Sequence, residues 1–141
     1  MKRLTLLAPF ALAAACAPMP QRVIDARAAG DGTTVSYAVS KEDAWRIAVA
    51  VFKWEGADII REEPGQGRII AGFGWNLVTY GTDAGVWFEV REENATGVTV
   101  VTKRRVPTTF CTNLTETTFH SRFAQGVEIV KSGRPLPDRA P

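Results

Sequence analysis

From Thr34 to Val39, β-branched and aromatic residues alternate with small ones, the period-two pattern of a short strand. Ser40 follows with Asp43 three positions later, a helix N-cap with acid in the first turn. Between Ala44 and Glu55 the period becomes helical. At about 100° per residue, Ala44, Ile47, Ala48, Val51 and Phe52 fall on one side, with Arg46 and Lys53 opposite. Trp45 and Trp54 widen this stripe, which predicts a helix sunk deep onto a sheet. Gly56 ends it as a left-handed cap would. Asp58 to Glu62 reads as a strand, and Pro64-Gly65-Gln66-Gly67 as a turn.

Arg68 to Tyr80 predicts a long strand, broken near Gly74. One face carries Ile69, Ala71, Phe73, Trp75 and Leu77; Gly72 and Gly74 on the other point to a bulge or a close backbone approach. Gly81 to Gly85 reads as a turn. Val86–Glu92 and Gly97–Val106 make the clearest hairpin. If Glu93 pairs with Gly97, then Val86, Phe88 and Val90 share a face with Val98 and Val100. Trp87, Glu89 and Arg91 then lie on the other face, and a slip by one residue would expose the valines. Asn113, with Glu116 three residues on, forms a capping box for a second helix. Its stripe is Phe119, Phe123, Val127 and Val130, and Gly126 within it predicts close packing against a strand. The order β-α-β-β-β-β-α predicts an α+β fold: a two-layer sandwich with a mostly antiparallel sheet and two helices on one face.

The ends of the chain carry different patterns. Met1-Lys2-Arg3 is a basic start, and the apolar stretch from Leu4 to Ala15 is too short for the roughly 20 residues that span a bilayer. This predicts an export signal over residues 1–15. Residues 16–32, with Pro18, Pro20, Gly30 and Gly32, read as a flexible tether. A single domain over 33–132 follows, then a disordered tail over 133–141 that carries Pro135, Pro137 and Pro141. The chain has 17 Lys and Arg against 15 Asp and Glu, and the excess is Lys2 and Arg3 in the signal. The exported part is thus neutral, without the basic field of a nucleic-acid binder.

Candidate chemistry is sparse. His120 is the sole histidine, and with Glu116 one turn earlier it reads as a surface pair. Cys111 lies about two helical turns from His120, too far for a catalytic dyad. Glu62-Glu63 and Glu92-Glu93 border turns and read as solvated, and Lys103-Arg104-Arg105 as a charge-protected sheet edge. Gly72-Phe73-Gly74-Trp75 lacks the strand–turn–helix setting of a phosphate loop. No catalytic, metal or cofactor residues are expected, and no Cys-x-x-Cys occurs.

Leu12-Ala13-Ala14-Ala15-Cys16 resembles a bacterial lipobox, with Leu four rather than three positions before the cysteine. The resemblance implies acylation of Cys16 as the mature N-terminus, which would leave Cys111 unpaired within the chain. Ala17 after the cysteine implies an outer-membrane lipoprotein facing the periplasm. A plain secretory signal cut at the same bond is the alternative, and it would permit a Cys16–Cys111 disulfide. Lys41-Glu42-Asp43-Ala44-Trp45-Arg46-Ile47-Ala48, Gly56-Ala57-Asp58-Ile59-Ile60 and Gly67-Arg68-Ile69-Ile70-Ala71 resemble the helix-grip modules of outer-membrane lipoproteins of the β-barrel assembly type. That resemblance implies a non-enzymatic envelope-assembly or protein-binding module tethered by its lipid, whose partner is an envelope protein. Trp75, Tyr80 and Trp87 are the candidate partner contacts, because large aromatics dominate interface energies. The competing expectation is a carrier of a small apolar ligand held between helices and sheet.

Overall fold

The computed structural model describes residues 19–74, 81–105 and 114–141. Three helices, α1 (Met19–Ala28), α2 (Lys41–Trp54) and α3 (Glu116–Lys131), accompany five strands. The strands are β1 (Thr33–Tyr37), β2 (Ile59–Glu63), β3 (Arg68–Phe73), β4 (Thr82–Glu92) and β5 (Ala95–Arg104), and a 3₁₀ turn at Pro64–Gln66 joins β2 to β3. They form one sheet in the order β1-β5-β4-β3-β2, every pair antiparallel. The fold is α+β, and from β1 onward the element order is the expected one.

The Ser40 side chain accepts the Asp43 N–H and starts α2, whose buried residues include the whole predicted stripe, Ala44, Ile47, Ala48, Val51 and Phe52. On the sheet, Ile69, Ala71, Phe73, Ala84, Val86, Val98 and Val100 meet that stripe, and Phe119, Phe123 and Val127 of α3 close the core. Phe52 sits between Phe73 and Phe119, with ring centroids 5.9 and 5.4 Å away. Gly126 packs closely, but against helix α2 rather than a strand. A Cβ there would come 2.5 Å from Cγ2 of Ile47. The N-cap of α3 is Thr115, whose side chain accepts the Thr118 N–H at 3.1 Å; Asn113 lies outside the described residues.

Both terminal segments depart from the sequence reading. Residues Met19–Ala28, expected within a flexible tether, form α1 on the face of the sheet opposite α2 and α3. Among the described side chains of α1, Val23 and Ala26 are the buried ones, three residues apart and too few to show a helical period. Pro20 is tolerated because the N–H groups of a first turn have no helical partner. The tail, expected to be disordered, folds back from Gly133. There a positive φ closes α3 with Gly133 N–H to Val130 and Arg134 N–H to Ile129. Leu136 then packs against the core, and the Trp54 indole N–H donates to the Pro137 carbonyl at 2.8 Å.

The hairpin register also differs. Glu89, not Glu93, pairs with Gly97, and Val86 pairs with Val100. The offset is an even number of residues, so Val86 and Phe88 still share the core face with Val98 and Val100. A register shift between Val90 and Glu92 leads into a tight turn at Glu93-Asn94. Thr82 to Gly85, expected as part of a turn, belong to β4. Strand β3 stops at Phe73, before a left-handed Gly74 (φ 70°); Trp75 to Tyr80 lie outside the described residues.

Candidate functional site

Of the residues singled out from sequence, Cys16, Trp75 and Tyr80 lie outside the described residues, as does Cys111. Trp87 is described, and it is not a free aromatic contact: it is half-buried where α1 crosses the sheet. Gly85 makes that seat. A Cβ at Gly85 would come 2.6 Å from the Trp87 ring and 2.7 Å from Cγ1 of Val23. The absence of a side chain lets the indole fold down and α1 approach. The Arg27 guanidinium lies 6.0 Å from the centroid of the same ring. Trp45 and Trp54 are likewise used within the fold. The Trp45 indole N–H donates to Glu62 and its ring packs on Phe88, while Trp54 holds the tail.

His120 is only 8% exposed and is not a surface partner of Glu116. Its Nε2–H donates to the Thr33 carbonyl at 2.9 Å, and its Nδ1 accepts from the Tyr37 hydroxyl at 2.8 Å. Burial lowers the imidazole pKa below its ordinary value, against the smaller opposing pull of the Thr33 bond and the Glu116 charge. Burial also pushes the Tyr37 hydroxyl up to about 12. Both groups are therefore neutral near pH 7, with their ring nitrogens and hydroxyl engaged. They stitch α3 to the edge strand β1.

β5 lies inside the sheet, but β1 reaches only to Val100, so Lys103 and Arg104 stand on a stretch of β5 paired with β4 alone. Arg105 forms a buried two-point pair with Asp83, Nη2 to Oδ1 at 2.8 Å and Nε to Oδ2 at 3.3 Å. Gly81 makes room, since a Cβ there would lie 2.8 Å from Nη1 of Arg105. The Arg22 guanidinium of α1 donates to the Arg105 carbonyl, and Lys103 pairs with Asp31. The glutamates bordering the β2–β3 turn are engaged too. Hydrogen bonding from Arg68, with added attraction from Arg61, holds the Glu63 carboxyl below its ordinary pKa. Among the described residues, no group of three or more His, Cys, Asp or Glu converges to hold a metal. Nor is any described helix long and apolar enough to cross a membrane.

The surface that stands out is the distal half of β4. Strand β3 pairs with β4 only as far as Trp87, whereas β4 continues beside β5 to Glu92. Phe88 to Glu92 therefore have a strand neighbour on one side only. Burial falls along β4 in step, from fully buried at Thr82–Val86 to exposed at Glu89–Glu92. Val90 is 56% exposed, one of two large apolar side chains left so open among the described residues. Sequence reasoning placed Val90 among the core valines. The missing signal was the length mismatch between β3 and β4, which alternation within either strand does not carry. Comparison with protein families, curated proteins and solved structures finds no match to this chain.

Proposed function

We propose that this chain is a lipoprotein anchored through Cys16 at the outer membrane and facing the periplasm. Its α+β domain is a non-enzymatic docking module for an envelope protein. The observation that carries the docking reading is the overhang of β4. Phe88–Glu92 present an open strand edge with Val90 exposed, as a site for an extended partner segment requires. The charges at Glu89, Arg91 and Glu92 and the irregularity beside Val90 discourage indiscriminate edge pairing, which restricts this edge to a matched partner. Against an apolar-ligand carrier, the layer between helices and sheet is filled by Phe52, Phe73, Phe119 and Phe123. Against catalysis, the described histidine and the buried Asp83–Arg105 pair are satisfied within the fold.

The test is a photo-crosslinking amino acid placed at Val90 in cells, with Lys53 on the exposed side of α2 as control. A discrete adduct with one envelope protein from position 90, absent from position 53, is expected. No adduct from any position between Glu89 and Asn94, in a chain that accumulates normally, would refute the docking site.

A further inference from the structure

We propose that the seam between α2 and α3 is a binding groove for an extended, proline-containing segment of a partner protein, held closed by the chain's own tail. The tail shows the chemistry that the groove accepts. From Gly133 it turns back over the helix pair, which runs antiparallel, since Ile47 meets Gly126 and Glu55 meets Arg122. Leu136 packs its side chain against the core, and the Trp54 indole N–H donates to the Pro137 carbonyl at 2.8 Å. An apolar side chain seated beside an aromatic ring that bonds a main-chain carbonyl is how aromatic-lined grooves take proline-rich ligands. The tail's sequence suits that use. Pro135 and Pro137 fix their own φ at about −65°, and each pushes the residue before it, Arg134 and Leu136, into extended backbone. Residues 134–137 are thereby largely set in advance, so little freedom is lost when they dock.

Two features make this closure exchangeable. The hold is slight: beyond the Gly133 cap, the Trp54 bond is the hydrogen bond that ties the tail to the helices, and exposed Asp138 and Arg139 form no ion pair among the described residues. The groove is also wider than the tail. A cleft of about 530 Å³ separates the tail from Gln125, Glu128 and Ile129 of α3, and one of about 360 Å³ lies between it and Arg46 and Val130. A bulkier partner segment therefore has room. Gly133, at φ 74° and with nothing within 4 Å of its Cβ position, is the pivot on which the tail swings. A tethered tail competes at an effective concentration of about millimolar, so a free segment enters when it binds better or is itself held nearby. The groove shares no residue with the β4 edge and stands whether or not that edge docks a partner.

The experiment uses the full chain with its tryptophan indoles isotopically labelled, the Trp54 N–H signal being assigned by its loss in Trp54→Phe. Leu136→Asp, which unseats the tail, should shift that signal in a chain that still unfolds cooperatively. Leu136→Ser is the milder variant should Leu136→Asp fail to fold. The capped peptide Arg-Pro-Leu-Pro-Asp-Arg, a copy of residues 134–139, should return the signal saturably toward its wild-type position. The wild-type chain should bind the same peptide at least about tenfold more weakly, because its own tail competes. A peptide with alanine in place of both prolines should bind more weakly than the parent. An unmoved indole signal in both folded variants overturns the closure. No return of the signal at about millimolar peptide, or equal binding by wild type and variant, overturns the groove as a binding site. Equal binding of the alanine peptide overturns the preference for a proline-containing partner.

Discussion

The contact between Gly126 and Ile47 allows a sharp test of how α2 and α3 fit. In an isolated helix, Gly126→Ala would be stabilising by about 1 kcal/mol, because alanine loses less backbone freedom. Here the new methyl would lie 2.5 Å from Cγ2 of Ile47, closer than any real contact. Ile47 is fully buried and β-branched, so it has little rotamer freedom with which to retreat. Overpacking of this kind costs about 1–3 kcal/mol, which cancels or exceeds the propensity gain. Gly126→Ala should therefore be neutral to destabilising by about 2 kcal/mol in urea unfolding. Gly126→Leu should be worse. Ile47→Ala alone should cost about 2–5 kcal/mol through the cavity it leaves. In the double variant the methyl introduced by Gly126→Ala enters that space, so the two changes should be non-additive by at least about 1 kcal/mol in the favourable direction. Full stabilisation by Gly126→Ala together with strict additivity would show that the helices do not meet there.

The remaining predictions concern the polar contacts and α1. Burial depresses the His120 pKa, so the unfolded chain binds the extra proton first as acid is added. Stability should be complete above the ordinary value of 6.5 and fall as pH drops through it toward the lower folded value. His120→Gln should flatten that slope in unfolding measured from pH 7 to 5; a wild-type curve that is flat there would contradict the buried neutral imidazole. Tyr37 has the opposite limb. With its hydroxyl raised from 10.0 to about 12, its contribution is complete below pH 10 and lost as pH rises toward 12, a loss that Tyr37→Phe should remove. Asp83→Ala, which removes the carboxylate paired with the buried Arg105 guanidinium, should cost about 3–5 kcal/mol, whereas Asp31→Ala at the exposed Lys103 pair should cost less than about 1 kcal/mol. Equal losses on denaturation would show that burial does not separate the two pairs. Val23→Asp should release α1, read as faster amide exchange from Asp25 to Gly30, with protection in β3 and α2 retained.

Where a segment's burial is set by its own periodicity, the sequence was readable. The five apolar residues of α2 and the alternation in β4 and β5 identified their core faces, and Gly126 announced a close approach. What could not be read are features that belong to pairs of segments. The hairpin register is set by the tight Glu93-Asn94 turn and by pairing of β1 on β5, neither visible in the alternation of β4 alone. Burial of His120 depends on Tyr37 and Thr33, 83 and 87 residues away along the chain. Trp87 carried a correct signal, a large aromatic with a task, but its partner is the chain's own α1 seated on Gly85. The open edge of β4 exists only because β3 is shorter than its neighbour.

The correction at the N-terminal segment changes what the proposed anchor would do mechanically. As a flexible linker, residues 16–32 would have a root-mean-square span of about 20–25 Å, letting the domain sweep a hemisphere above the bilayer. With Met19–Ala28 helical and docked, the free length shrinks to the steps from Cys16 to Met19, about 11 Å at full extension. On the proposed anchor a partner would then meet the β4 edge at a more nearly fixed height, so less of the freedom of the module would be lost on binding. Lengthening the segment is the direct test. Six Gly-Ser residues inserted between Ala17 and Pro18 should leave the unfolding temperature unchanged and weaken partner capture at Val90. The same insertion between Ala29 and Gly30, behind the docked helix, should instead disturb the Gly30 cap and lower the unfolding temperature. If the first insertion leaves crosslinking at Val90 intact, the fixed-height argument fails even though α1 is folded.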